Sequence, residues 1–456
     1  MCGIAGVTHG TAGQVALMLD AIAHRGPDAR AITAAGTMLH GHVRLALLDL
    51  SPASNQPFAY QGTLLSYNGE LWNWRELRQD LKSRGYQFHT SGDTEVLAAC
   101  LVADGLEVLT RLDGMFAFAW TSRDGEQWLV RDAFGKVPLY VAKRRTGYAW
   151  ASERKSFPRG ERPMAVPPGH AFNLVTGAWR RWYRLPPPTA LSPSQVIGHL
   201  REGVRQRLDA DAPVCCLISG GLDSGIILAL AQAAQPDVVA YTAVYDPNAN
   251  DTRAARRLCA ELGVPLVEVS VSLGADTVPE ALQAIEIPSK AQTEIAVLCL
   301  PLARQIAADG FKACLSGESS DELFGGYGNF CIQASGNQAP TAVRKLRLQQ
   351  LAKMSRGNFI RCNKVFMAHG VECRLPFMHQ RLVESAVQLD LSQSPLQKKL
   401  LKDACRGLVP DWCINRPKDT FQGGSGISTA LAKRIAAPVR FYNAEARRLF
   451  GYLPED

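Results

Sequence analysis

Between residues 214 and 271, short apolar runs alternate with longer amphipathic ones. Val214 to Ile218, Val238 to Val244 and Val264 to Val271 read as strands, with helices Gly225 to Ala234 and Arg253 to Leu262 between them. Strands joined through helices run parallel, and a parallel sheet must be covered on both faces. This half of the chain is therefore constrained to an α/β layer fold. A helix from Glu294 to Ala308 and a strand from Phe311 to Leu315 extend the rhythm, and from about residue 341 the pattern is mostly helical.

The first half keeps a different rhythm. Up to about residue 183 it holds many short strand-like runs, among them Met115 to Thr121, Trp128 to Asp132, Leu139 to Arg145 and a hairpin within Ala171 to Tyr183 around Thr176-Gly177. Helical spacing recurs in Gln14 to Ala23, Asn73 to Arg84 and Thr94 to Ala103, so a layered α+β unit is expected. The proline-rich stretch from Arg184 to Ser194 lacks amide donors and reads as the linker. Two domains follow, 1–185 and 195–456, in keeping with a chain of 456 residues.

A net charge of +8, not gathered into any basic block, argues against a nucleic-acid partner. No apolar run approaches the roughly 20 residues of a membrane span, and no signal-peptide pattern opens the chain, so a cytoplasmic protein is expected. The twelve cysteines form no Cys-x-x-Cys pair, and several sit in apolar runs, where they read as buried thiols.

Two blocks in the second half suit a phosphorylated guest. Ser219-Gly220-Gly221-Leu222-Asp223-Ser224 lies between a strand and a helix, where glycines admit an anion, hydroxyls donate to it and the helix N-terminus faces it. The Gly-x-x-x-x-Gly-Lys-Ser/Thr motif is absent, which disfavours cleavage at the γ-phosphate. Ser316-Gly317-Glu318-Ser319-Ser320-Asp321-Glu322 follows a later strand, and carboxylates at such strand ends meet in a binding crevice. In the first half, Cys2 stands behind Met1. Removal of Met1 would leave an α-amine next to the thiol, a base that activates it without histidine. Alone, a cysteine at this position is chance, and Asn68-Gly69 is an ordinary turn dipeptide.

Cys2, His24-Arg25-Gly26-Pro27-Asp28, Arg44 to Asp49, Tyr67-Asn68-Gly69-Glu70 and Ser91-Gly92-Asp93-Thr94-Glu95 together resemble class II glutamine amidotransferases. The two later blocks, with Arg416-Pro417-Lys418-Asp419 and Gly370 to Phe377, resemble the synthetase part of the asparagine-synthetase family. The resemblance spans nearly the whole chain. It implies an N-terminal-nucleophile (αββα) glutaminase domain followed by a Rossmann-like ATP-pyrophosphatase domain with a parallel sheet and a helical C-terminal part.

It further implies Cys2 as nucleophile, Asn68 and the Gly69 amide as oxyanion hole, and Arg44, Asn68, Glu70 and Asp93 as glutamine-binding residues. ATP would meet Ile218, Ser219, Gly220, Gly221, Asp223, Ser224, Val244, Ser316 and Gly317; Asp223 and Asp321 would hold Mg²⁺. Glu318 would be the base for ammonia attack and Lys418 would neutralise pyrophosphate, although read alone Lys418 is a solvated lysine.

The implied reaction turns glutamine, ATP and an acceptor carboxylate into an amide, AMP and pyrophosphate, with aspartate as default acceptor and ammonia passed on internally. Departures from the family pattern at Asn363, Met378 and Glu294, where acids are lost or a basic contact becomes acidic, favour a cationic or neutral acceptor. Rivals are a natural-product or modified-nucleotide acceptor, an internal-amine cyclase and a non-catalytic relative. A homodimer is left open.

Overall fold

The strand β1 (Gly3–Thr8) is buried along its whole length. It pairs antiparallel with β3 (Met38–Arg44) on one side and β9 (Gly147–Ala151) on the other. With β2 (Ala29–Ala35), β8 (Tyr140–Arg144) and β10 (Met164–Ala165) these make a six-stranded sheet, ordered β10-β8-β9-β1-β3-β2. The strands β4 (Phe58–Tyr60), β5 (Thr63–Leu71), β6 (Gly114–Thr121), β7 (Gln127–Arg131), β11 (His170–Asn173) and β12 (Trp179–Arg181) make a second, ordered β12-β11-β7-β6-β5-β4. The sheets stack where β1 and β3 meet β5.

Helices close both outer faces. On the first sheet, α1 (Ala12–Asp20) begins at a Thr11 capping box with Gln14 and sets Val15, Met18 and Leu19 against Val7 and Val43. On the second, α2 (Trp74–Ser83) and α3 (Asp93–Asp104) bury Leu77, Leu81, Val96, Leu97 and Leu101 against Tyr67, Phe116, Phe118 and Trp120. The result is the αββα layering expected for this half. Helix α3 departs from the amphipathic reading, since every residue from Asp93 to Leu101 is buried. Its acids are tolerated there because they are bonded; Glu95, for example, accepts from the Thr90 amide at 2.7 Å.

This computed structural model describes all residues except 188–190, 328–338, 388–397, 418–419, 436 and 455–456. The chain divides into two compact units. One comprises Met1–Arg184 with Cys362–Val371 and Ala444–Asp456, the other Leu185–Arg361 with Glu372–Asn443. The first helix of the second unit, α4 (Pro193–Leu208), starts inside the stretch read as linker. Pro193 needs no amide partner in a first turn, and Ser192 caps the helix by bonding Gln195 N.

The second unit is built on one parallel sheet of β13 (Val214–Leu217), β14 (Ala240–Val244), β15 (Leu266–Ser270), β16 (Ala313–Leu315) and β17 (Glu372–Arg374), ordered β15-β14-β13-β16-β17. Helices α5 (Leu222–Ala234) and α6 (Asn250–Leu262) connect the first three strands; α7 (Thr277–Ile285) and α8 (Lys290–Ala308) lead to β16. The chain builds outward from β13 in one direction, then returns to add β16 on the other side. The break between β13 and β16 is a topological switch point, where α/β sheets open a crevice at their carboxyl ends. Strand β17 was not expected from sequence. Its Arg374, fully buried, pairs with Glu372 at 2.6 Å and donates to the Arg207 carbonyl at the end of α4.

Candidate active sites

In the first unit, Cys2 stands at the head of β1 with its amide donating to Asn68 Oδ1 at 2.9 Å. Asn68 Nδ2 points to Ser152 Oγ at 3.3 Å, and that hydroxyl also receives the Ile4 amide. The side chain expected in the oxyanion hole thus positions the Cys2 nitrogen, the atom that would become the α-amine if Met1 were removed. Burial pushes the Cys2 thiol up, while the chain's terminal amine and Arg44 draw it down and Glu70 opposes them. A thiol in that setting needs a base at close range.

Gly69 follows in β5 with φ +154, opposite Phe116. A Cβ there would lie 2.1 Å from the Met115 carbonyl, so only glycine fits. Arg44 is buried and ties down the loop after β3, donating to the Ser51 carbonyl (2.7 Å), Asn55 Oδ1 (2.8 Å) and the Asp49 carbonyl. Asp93 Oδ2 accepts from Tyr67 OH (2.8 Å) and the Leu71 amide (2.9 Å). The expected glutamine ligands Arg44, Asn68, Glu70 and Asp93 are all buried in this unit.

Behind Cys2 lies an ion cluster to which sequence reasoning assigned no role. Arg25 donates to the Cys2 carbonyl (2.9 Å), to Glu153 (2.5 Å) and to Asn363 Oδ1 (3.0 Å). Burial raises the Glu153 carboxyl, but Lys155, Arg25 and His24 outweigh it and hold it well below the usual carboxylate range.

In the second unit, β13 and β16 each run into one of the two phosphate-type blocks. After β13, Gly220 turns at φ +72 so close to α6 that a Cβ would fall 2.5 Å from the Ala255 amide. Ser219 and Ser224 hydroxyls lie 3.2 Å apart, and Asp223 falls in the first turn of α5. After β16, Gly317 abuts that same turn, 2.6 Å from Ser224 N to a notional Cβ. Two blocks nearly a hundred residues apart are therefore in contact across the switch point. Ile218 continues β13, Val244 ends β14, and Ser316 N bonds the Arg374 carbonyl, so the expected nucleotide neighbours share the carboxyl edge of one sheet.

A family profile described as a glutamine amidotransferase domain matches residues 1–172. One described as asparagine synthase matches residues 195–354 and 333–448. The chain belongs to the asparagine synthetase family. Among curated relatives it is 30% identical to "Asparagine synthetase [glutamine-hydrolyzing] 3" of Arabidopsis thaliana, over 89% of this chain and 75% of that one. It is 30% identical to "Asparagine synthetase [glutamine-hydrolyzing] 2" of Oryza sativa subsp. japonica, over 93% and 76%. It is 29% identical to "Asparagine synthetase B [glutamine-hydrolyzing]" of Escherichia coli, over 91% and 80%. The protein is a ligase of the glutamine amidotransferase, asparagine synthetase type.

Within this asparagine synthetase fold, Asp223 and Asp321 face one cation, the ammonium of Lys398. It lies 2.6 and 2.5 Å from the Asp223 oxygens and 2.6 Å from Asp321 Oδ1. A pair of carboxylates arranged about a shared positive charge has the hard-oxygen chemistry that Mg²⁺ requires, so these residues fit the ion. Lys418 lies outside the described residues.

Glu318 closes a ring. It accepts from Arg361 (2.6 Å) and Asn358 (3.0 Å), while Gln292 joins those two by accepting from Arg361 Nε (2.7 Å) and donating to Asn358 (3.0 Å).

Glu294 is buried and neutralised by Lys290, one turn earlier on α8, at 2.8 Å. Asn363 belongs to the cluster behind Cys2, and Met378 is fully buried in a turn. All three are buried, and the cation beside Glu318 is Arg361. Lys398 and Arg361 were both missed because neither carries a local motif; tertiary packing alone brings them to the site.

Proposed function

We propose that this asparagine synthetase relative hydrolyses glutamine at Cys2 in a domain spanning 1–185. In the domain spanning 195–456 it uses the nitrogen to amidate a carboxylate activated by ATP. Aspartate is the default acceptor, and the protein acts in the cytoplasm. The observation that supports this best is the meeting of Ser219–Ser224 with Ser316–Asp321 at the switch point, in a chain that also seats Cys2 against Asn68.

At the first site, the α-amine beside Asn68 takes the Cys2 proton. The thiolate then attacks the glutamine amide, and the Gly69 amide with Asn68 receives the developing oxyanion. Arg44 holds the substrate carboxylate, while Glu70 and Asp93 receive its ammonium group. Ammonia leaves, and water releases glutamate from the thioester.

At the second site, the glycines and hydroxyls of the first block seat the phosphates, with Ile218, Val244, Ser316 and Gly317 along the adenosine. Bound Mg²⁺ would supply charge neutralisation on the phosphate oxygens, held by Asp223 and Asp321. The acceptor carboxylate displaces pyrophosphate, which Lys418 neutralises, and forms an acyl-adenylate. Glu318 takes a proton as ammonia attacks, and AMP departs. Ammonia passes between the sites without entering bulk water, where it would be protonated.

The test is product analysis with aspartate and a carboxylate panel. AMP, pyrophosphate, glutamate and asparagine in equal amounts support the reading. ADP as product would end it, and activity only with another carboxylate would move the acceptor while keeping the chemistry.

A further inference from the structure

Two carboxylates in one crevice repel each other, and something must hold them together. In this unit a lysine does so. The Lys398 side chain is buried, and its Nζ reaches both oxygens of Asp223 and Oδ1 of Asp321 within 2.6 Å. Ser320 Oγ adds a 2.6 Å bond to Asp223 Oδ1.

The placement is built into the backbone. Lys398 sits at φ +63, a left-handed conformation that residues with a Cβ rarely adopt. Its amide is bonded to the Phe324 carbonyl at 3.2 Å. Its stem crosses Gly326, where a Cβ would fall 2.5 Å from Lys398 Cε and 1.9 Å from Asp321 Oδ1. Glycine at 326 leaves the lysine a passage to the aspartates.

We propose that Lys398 is a resident counter-ion that competes with a divalent cation for the Asp223–Asp321 pair and yields its place only when a nucleotide's phosphates accept its ammonium. The inference rests on reading that pair as the cation site, and it goes further by making metal binding depend on nucleotide. The physical reason is charge balance. A bare divalent ion must displace a bonded ammonium and leave it buried without a partner, whereas an ion arriving with polyphosphate brings anionic oxygens for it. Mg²⁺ and nucleotide then bind with positive coupling, and neither carboxylate is loaded by free metal alone.

Mn²⁺ binding to the full-length protein, followed by electron paramagnetic resonance, tests this. Without nucleotide, Lys398→Met, which keeps the aliphatic stem across Gly326, is expected to bind Mn²⁺ at least about tenfold tighter than wild type. Lys398→Arg should stay near wild type. A non-hydrolysable ATP analogue should tighten Mn²⁺ binding strongly in wild type and much less in Lys398→Met. Lys398→Gln repeats the comparison should the methionine variant fail to fold.

Equal Mn²⁺ affinity in wild type and Lys398→Met, with wild-type binding abolished by Asp321→Asn, overturns the counter-ion role while sparing the cation site. Tighter binding that survives Asp321→Asn in the Lys398→Met background overturns the cation-site reading itself, and the inference falls with it.

Discussion

Cys2, the proposed nucleophile, is held by its backbone rather than by its side chain. Its amide is fixed by Asn68 and its carbonyl by Arg25, and Arg25 is fixed in turn by Glu153. Replacing Cys2 with alanine should lower glutamine hydrolysis by at least about 10³-fold while amidation from ammonium salts persists. Glutamate release and AMP formation, measured in parallel, would separate the two activities; a proportional loss of both would contradict the assignment. Glu153→Gln removes the one anion shared by Arg25, Lys155 and His24, and is expected to cost about 3–5 kcal/mol in urea unfolding. Because the folded carboxyl lies below its unfolded value, Glu153 stabilises fully above the unfolded pKa, and that stabilisation is lost only as pH falls through the folded one. The contribution of the Glu153 carboxylate's own ionisation to urea stability should therefore be unchanged between neutrality and about pH 5.

The loop after β3 and the turn after β13 are the elements on which the two proposed sites hang. Asp49 secures the first by accepting from the Ser51 hydroxyl (2.6 Å) and the Ser91 amide (2.8 Å). Burial opposes its ionisation, yet these bonds bring it down to about 2. Its contribution is in place above about pH 4 and disappears toward pH 2. Protection factors of the amides of residues 48–55, taken relative to their intrinsic exchange rates, should fall over that interval, and a flat profile would count against the latch. The second element depends on Gly220, whose φ and closeness to α6 both forbid a side chain. Gly220→Ala should abolish ATP–pyrophosphate exchange and leave glutamine hydrolysis near wild type. Loss of hydrolysis as well would mean that the damage is not confined to the turn.

For the whole molecule, the informative measurement is nitrogen bookkeeping. Given amide-¹⁵N glutamine with excess unlabelled ammonium, the product should carry ¹⁵N; an unlabelled product would show that ammonia equilibrates with solvent. Strand–helix alternation from Val214 to Val271 was enough to specify a parallel sheet, because helical crossovers force parallel strands and period alone reveals them. That Asp223 and Asp321 would come near each other was legible for a related reason: each sits in a contiguous block that follows a strand of one parallel sheet. Linker and helix were harder to divide, since a proline at 193 starts a helix as readily as it breaks one. The pairing of Glu294 with Lys290, a turn away, was not legible, because residue type does not report pairing. Arg25, Arg361, β17 and Lys398 were decided only by tertiary structure. Local sequence carries period, turn chemistry and motif, whereas the partner of a buried charge is set by which distant segments the sheets bring together.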